Sequence, residues 1–146
     1  MARVCTYLNF PRQTEEAFTF YRSIFGGDFA GQGIARFGDT PPQPGMPSIN
    51  DADKKLVMHI ELVLPGGHVL MGTDAPESMG FSVTPGNNVH ILLDVDSRAE
   101  ADLYFKKLSN GGTVTMPMGD VFWGAYYGSC VDKYRMQWMV NYAKPH

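Results

Sequence analysis

Apolar and polar positions alternate most regularly between Lys55 and Asp74, KLVMHIELVLPGGHVLMGTD. Leu56, Met58, Ile60, Leu62 and Leu64 interleave with Val57, His59, Glu61 and Val63, the period-2 signal of a strand with two faces. Pro65-Gly66 supplies a fixed φ and then a tolerance of positive φ, as a type II turn requires, and His68–Met71 returns as a second strand. Upstream, residues 3–10 alternate as a first strand that Pro11 ends. Thr14 is placed to cap a helix, with Glu15 and Glu16 in the first turn, where the dipole favours negative charge. Ala17, Phe18, Tyr21, Ile24 and Phe25 make one apolar stripe, and Gly26-Gly27 stops the helix. A strand over about 28–37 is expected next. Residues 38–54 hold Pro41, Pro42, Pro44 and Pro47 without periodicity, a long surface loop expected to act as a lid or dimer-contact arm.

The same order of elements then recurs. After the segment 75–87, Val89–Val95 reads as a strand, and Ser97-Arg98-Ala99-Glu100 as a capping box. Ala101, Tyr104, Phe105 and Leu108 form the stripe of a helix that Gly111-Gly112 ends, and strands are expected near 113–118, 121–131 and 136–142. At an offset of 84 residues Ala17 falls on Ala101, Phe20-Tyr21 on Tyr104-Phe105, Ile24 on Leu108 and Gly27 on Gly111. Each half therefore predicts strand–helix–strand–strand–strand, an internal duplication. The expected architecture is α+β: one domain of two βαβββ modules, about 1–75 and 88–146 with linker 76–87. Their four-stranded sheets, each backed by a helix, would curl to enclose a cleft.

Composition narrows the partners. The chain has 146 residues, 44% apolar and 18% charged, with a net charge of −3. That is an ordinary globular composition with no basic cluster, so neither nucleic acid nor an anionic membrane is expected as a partner. No apolar run approaches the roughly 20 residues of a membrane span. MARVCTYLNF enters a strand pattern without a signal-peptide layout, and Cys5 and Cys130 have no CxxC spacing. These readings give two reduced thiols in a cytoplasmic setting.

With the duplication in view, EEAFTFYRSIFGG (15–27), MHIEL (58–62), HVLMGTDA (68–75) and DVFWGAYYGSCVD (120–132) leading to Trp138 stand out. On these segments the chain resembles the vicinal-oxygen-chelate superfamily of glyoxalases, extradiol dioxygenases and bleomycin-resistance proteins. It is most similar to the PhnB-like, demethylubiquinone-methyltransferase-like branch. The glyoxalase/bleomycin-resistance fold is what the resemblance implies. The chain has no nucleotide-type glycine-rich motif, hence no evident place for a methyl donor.

In metal-dependent members the resemblance implies four ligands, two per half, usually His, Glu or Gln. Carried over, they fall on Thr6 or Tyr7, on Leu70 or Met71, on His90 and on Met139. One imidazole among thioethers and neutral groups does not hold a hard divalent cation, so no cofactor is expected. A second departure lies in the last turn, where the superfamily commonly reads Asp-Pro-x-Gly-His and this chain reads Asp132-Lys133-Tyr134-Arg135-Met136. Either Arg135 is strained where glycine would take positive φ, or the turn has changed shape.

The His59/Glu61 pair is the residual chemistry: two polar groups on one face of a strand otherwise fit for burial, which makes that face wet, paired or a cavity wall. Ligand-binding candidates are His59, Glu61, His90, Trp123, Tyr126 and Asp120, with soft Met71 and Met139 beside them. The same aromatic and methionine residues are also ordinary core fillers, Asp120 an ordinary turn acceptor, and His59/Glu61 a conceivable acid/base pair. The expected function is small-molecule binding by a homodimer without the usual metal. The alternative is a metal-dependent lyase or dioxygenase with a rearranged site built from His59, Glu61 and His90.

Overall fold

The Pro65-Gly66 turn forms as its residues dictate: Gly66 takes φ 85°, ψ −4°, the third position of a type II turn, and the Gly67 N–H donates to the Leu64 carbonyl at 3.0 Å. It joins two antiparallel strands, β3 (Val57–Val63) and β4 (Val69–Asp74). The structure is a computed structural model and describes residues 1–31, 33–41, 44–45 and 48–143. Preceding the hairpin are β1 (Thr6–Phe10), α1 (Thr14–Phe25) and a two-residue β2 (Ala35–Arg36). Following it are β5 (Ile91–Asp94), α2 (Arg98–Ser109), β6 (Thr113–Asp120), β7 (Ala125–Val131) and β8 (Gln137–Ala143).

The sheets run β1-β4-β3-β2 and β5-β8-β7-β6, so adding four to each strand of the first reproduces the second. In each, the first strand lies parallel to the last and the other pairings are antiparallel. The two helices have the same length and start 84 residues apart. The duplication read from caps and stripes is therefore a duplication of topology, and the α+β class with two helix-backed four-stranded sheets is the one observed. The residues form two compact units, 1–83 and 84–146.

Burial follows the stripes. Ala17, Phe18, Tyr21 and Ile24 of α1 are buried, and α1 packs on β3 and β4 over Leu8, Phe10, Ile60, Leu62 and Leu70. The approach is closest at Gly72, where a Cβ would stand 2.5 Å from a Phe18 ring carbon. Ala101, Phe105 and Leu108 bury α2 against its own sheet with Leu93, Trp138 and Val140.

Two local expectations change. Thr14 does not cap α1: Gln13 holds the N-cap position without a side-chain bond, and the Thr14 hydroxyl is buried with no partner. The first N–H of the helix is served from a distance, because Asp74 at the end of β4 accepts from the Thr14 N–H at 3.0 Å. Its other oxygen accepts from the Val57 N–H at 2.8 Å. Ser97 does cap α2, accepting from the Glu100 N–H at 3.0 Å. The strand expected over 28–37 is reduced to a Phe29–Leu62 bridge and the pair Ala35–Arg36, since Gly31 and Gly33 sit at φ 66° and 81° and break the extended backbone. Within 38–54, Pro42, Gln43, Met46 and Pro47 lie outside the described residues, and the lid expectation falls partly there. The ends of the segment carry 3₁₀ turns at Phe37–Asp39 and Asp53–Lys55.

The last turn keeps its shape and strains Arg135. The Arg135 N–H donates to the Asp132 carbonyl at 2.9 Å, the Asp132 N–H to the Met136 carbonyl at 2.8 Å, and Arg135 takes φ 73°. It is the one non-glycine at positive φ among the described residues. The strain relative to an unstrained backbone is about 1–2 kcal/mol. Asp132, buried beneath, accepts from the Tyr134 and Met136 N–H groups and from the Trp138 indole.

Candidate functional site

On the sheet of the first unit, Leu8, Ile60, Leu62 and Leu70 point toward α1, so their alternates face away from the helix. Register sets Tyr7 of β1 beside Met71 of β4, and Met71 beside Glu61 of β3, in one row on that outer face. His59 lies two residues from Glu61 on the same strand and bridges the row. Its Nε2 stands 2.9 Å from Glu61 Oε1 and its Nδ1 3.1 Å from the Tyr7 hydroxyl. The rings of Tyr7 and His59 lie 5.8 Å apart, tilted by 41°.

Direction follows from donor chemistry. An ionised carboxylate only accepts, so Nε2–H donates to Glu61; in neutral His59, Nδ1 then accepts the Tyr7 O–H. Glu61 thereby fixes tautomer and ring orientation, and Tyr7 presents its oxygen lone pairs outward. Burial, and secondly the charge of Glu61, push the Tyr7 phenol up, so it remains a neutral hydroxyl. The three side chains are part-exposed: Tyr7 is 47% accessible as a residue, and the side chains of His59 and Glu61 37% and 28%. Such a half-wet chain can accept a hydrogen bond at Tyr7 and at the second Glu61 oxygen, and can move a proton along its length. Thr6, paired with Leu70 and so on the opposite face from Tyr7, meets His68 Nε2 through its Oγ1 at 2.8 Å.

The matching row of the second unit is Leu92, Met139, Ser129 and Met116, which carries no titratable group. Leu92, not His90, stands abreast of Met139; His90 precedes β5 by one residue and is half-buried. Likewise Tyr7, not Thr6, stands abreast of Met71. Two aromatic or aliphatic groups and two thioethers are not the His, Glu or Gln set that binds a divalent metal. Among the described residues no group of three or more His, Cys, Asp or Glu could hold a metal ion. The residues present do not fit the metal that the resemblance implies.

The other candidates belong to residues 84–146 and engage partners of their own. Tyr126 donates to Asp102 of α2, and the Arg98 guanidinium lies 3.9 Å over its ring. Arg98 also grips Asp120 through two bonds of 2.8 and 3.2 Å. Asp120 and Tyr126 thus fasten β6 and β7 to α2, on the helix side of the sheet. Trp123 stands in the β6–β7 connection, 58% exposed, with Phe122 edge-on at 5.0 Å and Tyr127 at 6.2 Å. Cys130 is buried and burial pushes its thiol to about 11, which removes it as a nucleophile; both cysteines are free. Tyr7 is the member that the sequence did not mark as a candidate binding residue. Its signal was its place, one residue along, in the count of ligand positions.

Comparison with known proteins completes the picture. The sequence matches the family described as "3-demethylubiquinone-9 3-methyltransferase" over residues 2–141. The crystal structure of protein PA1353 from Pseudomonas aeruginosa is similar at 32% identity and a TM-score of 0.83, over 99% of this chain and 100% of that one. A putative 3-demethylubiquinone-9 3-methyltransferase, PhnB protein, from Bacillus cereus is similar at 26% identity and 0.73, over 97% and 100%. A glyoxalase/bleomycin resistance protein/dioxygenase family enzyme from Burkholderia phytofirmans PsJN shares the fold at 20% identity and 0.59, over 95% and 98%. The chain belongs to the PhnB-like 3-demethylubiquinone-9 3-methyltransferase family and has the glyoxalase/bleomycin-resistance fold.

Proposed function

We propose that the chain binds a small molecule on the outer face of the β1-β4-β3-β2 sheet, with Tyr7, His59 and Glu61 as its polar contacts and no divalent metal. The observation that carries this reading is the Tyr7–His59–Glu61 chain of hydrogen bonds, which orients a histidine on a part-exposed face. Its outward groups are acceptors beside one carboxylate, which selects a ligand bearing hydroxyl or amine donors. Met71 and the Tyr7 ring add adaptable apolar contact for a flat portion of that ligand. Binding rather than methyl transfer is proposed, because the sequence offers no motif for a nucleotide-type methyl donor. The protein is proposed to work in the cytoplasm as a homodimer, in which isologous contacts would protect exposed sheet edges.

Elemental analysis of protein purified without added metal, together with a thermal-shift screen of hydroxylated and aminated small molecules, tests the reading. Metal far below stoichiometry and hits lost in His59→Ala support it. Stoichiometric zinc, nickel, iron or manganese that disappears in His90→Ala would replace it with the metal-dependent lyase or dioxygenase.

A further inference from the structure

Arg135 carries a strained backbone in a turn whose hydrogen bonds need nothing from its side chain: the backbone and the Asp132 carboxylate supply them. Glycine would meet the same geometry without strain. Strain held at one residue points to a use for the side chain it carries. Arg12, Arg36 and Arg98 each face a carboxylate, on Asp53, Glu15 and Asp120, and Arg22 lies over the Phe29 ring. The Arg135 guanidinium has no ion pair among the described residues. It lines an open hollow of about 430 Å³ with Pro85, Gly86, Asn87, Val131 and Gln137. Among the described residues, one positive charge and no carboxylate line this hollow. Gln137 is held in place there by its Nε2 donating to the Val89 carbonyl at 2.8 Å, which leaves its Oε1 as an acceptor.

We propose that this hollow binds a small organic oxyanion, a carboxylate or a phosphate, on the Arg135 guanidinium. The planar fork takes two oxygens of such a group side by side, and the Asn87 amide supplies a further donor. The hollow's volume admits more than a bare ion, and Gln137 Oε1 would receive a hydroxyl of the attached body. The site lies wholly within residues 84–146 and uses none of Tyr7, His59 or Glu61.

Titration of the full-length protein with inorganic phosphate and, separately, with succinate decides the matter. Ionic strength is held constant with sodium chloride, and backbone amide shifts are followed by NMR. A saturable shift of Gly86, Asn87 and Gln137 is expected for at least one anion, and the anion that saturates at lower concentration identifies the class. Arg135→Gly, which relieves the backbone and so folds, should weaken the affinity at least tenfold; Arg135→Lys, which keeps charge without the fork, should fall between. Linear, unsaturated shifts with both anions, or an unchanged midpoint in Arg135→Gly, would overturn the proposal.

Discussion

Replacing Asp74 by alanine should destabilise residues 1–83 severely, and the magnitude can be worked from its contacts. The residue is 3% exposed, and its two oxygens accept from the Thr14 N–H at 3.0 Å and the Val57 N–H at 2.8 Å. Thr14 and Val57 are themselves 0% and 1% exposed, so water cannot take over either donor. Leaving a buried donor unmade costs about 1–3 kcal/mol, and losing a negative charge at a helix N-terminus adds about 0.3–1 kcal/mol. Removal of a buried carboxylate, itself costly to desolvate, returns part of this. The expected loss is about 3–4 kcal/mol, a large share of the roughly 5–15 kcal/mol of a typical domain. Asp74→Asn keeps one acceptor but turns an NH₂ toward the other N–H, and should lose about 2 kcal/mol. Urea denaturation followed by far-UV circular dichroism is the suitable assay, because Trp123 and Trp138 both lie in the second unit and fluorescence would miss the first. An Asp74→Ala loss below about 1 kcal/mol would refute the view that Asp74 is the cap of α1.

Other outcomes follow from single contacts. Thr14→Val should change stability by less than about 0.5 kcal/mol or raise it, since the buried hydroxyl has no partner; a loss above about 1 kcal/mol would restore Thr14 as a cap. Iodide should quench the fluorescence of Trp123, 58% exposed, and spare Trp138, 0% exposed, so Trp123→Phe should leave emission that iodide scarcely touches. Bonds from Ser78 and then Arg12 hold the Asp53 carboxyl below its ordinary value of 3.8. A lowered folded-state value stabilises above the unfolded one and is lost as pH falls through it, so thermal melts should show an acid-induced loss beginning near pH 4 that is smaller in Arg12→Ala.

What the sequence made legible was local. Pro65-Gly66 contains its turn, the stripes of α1 and α2 contain their buried faces, and Ser97 with Glu100 contains a cap, because each signal lies within one turn or strand. Arg135 was legible as a conflict between residue and turn, and the backbone resolved it as strain. The Asp74 cap was not legible, since the carboxylate and the N–H it serves are 60 residues apart in the chain. The same holds for Tyr7: its partnership with His59 depends on the parallel register of β1 and β4, which no local pattern fixes. Asp120 and Tyr126 drew notice beside the FWG segment, yet Arg98 and Asp102 on α2 engage them, through contacts that only packing creates.

The most direct test of metal-free binding at Tyr7, His59 and Glu61 is calorimetric titration of the strongest thermal-shift hit into EDTA-treated protein and into its His59→Ala variant. Affinity unchanged by EDTA and reduced at least tenfold in the variant is the predicted result. Binding that EDTA abolishes and a divalent cation restores, or that His59→Ala leaves intact, would contradict it.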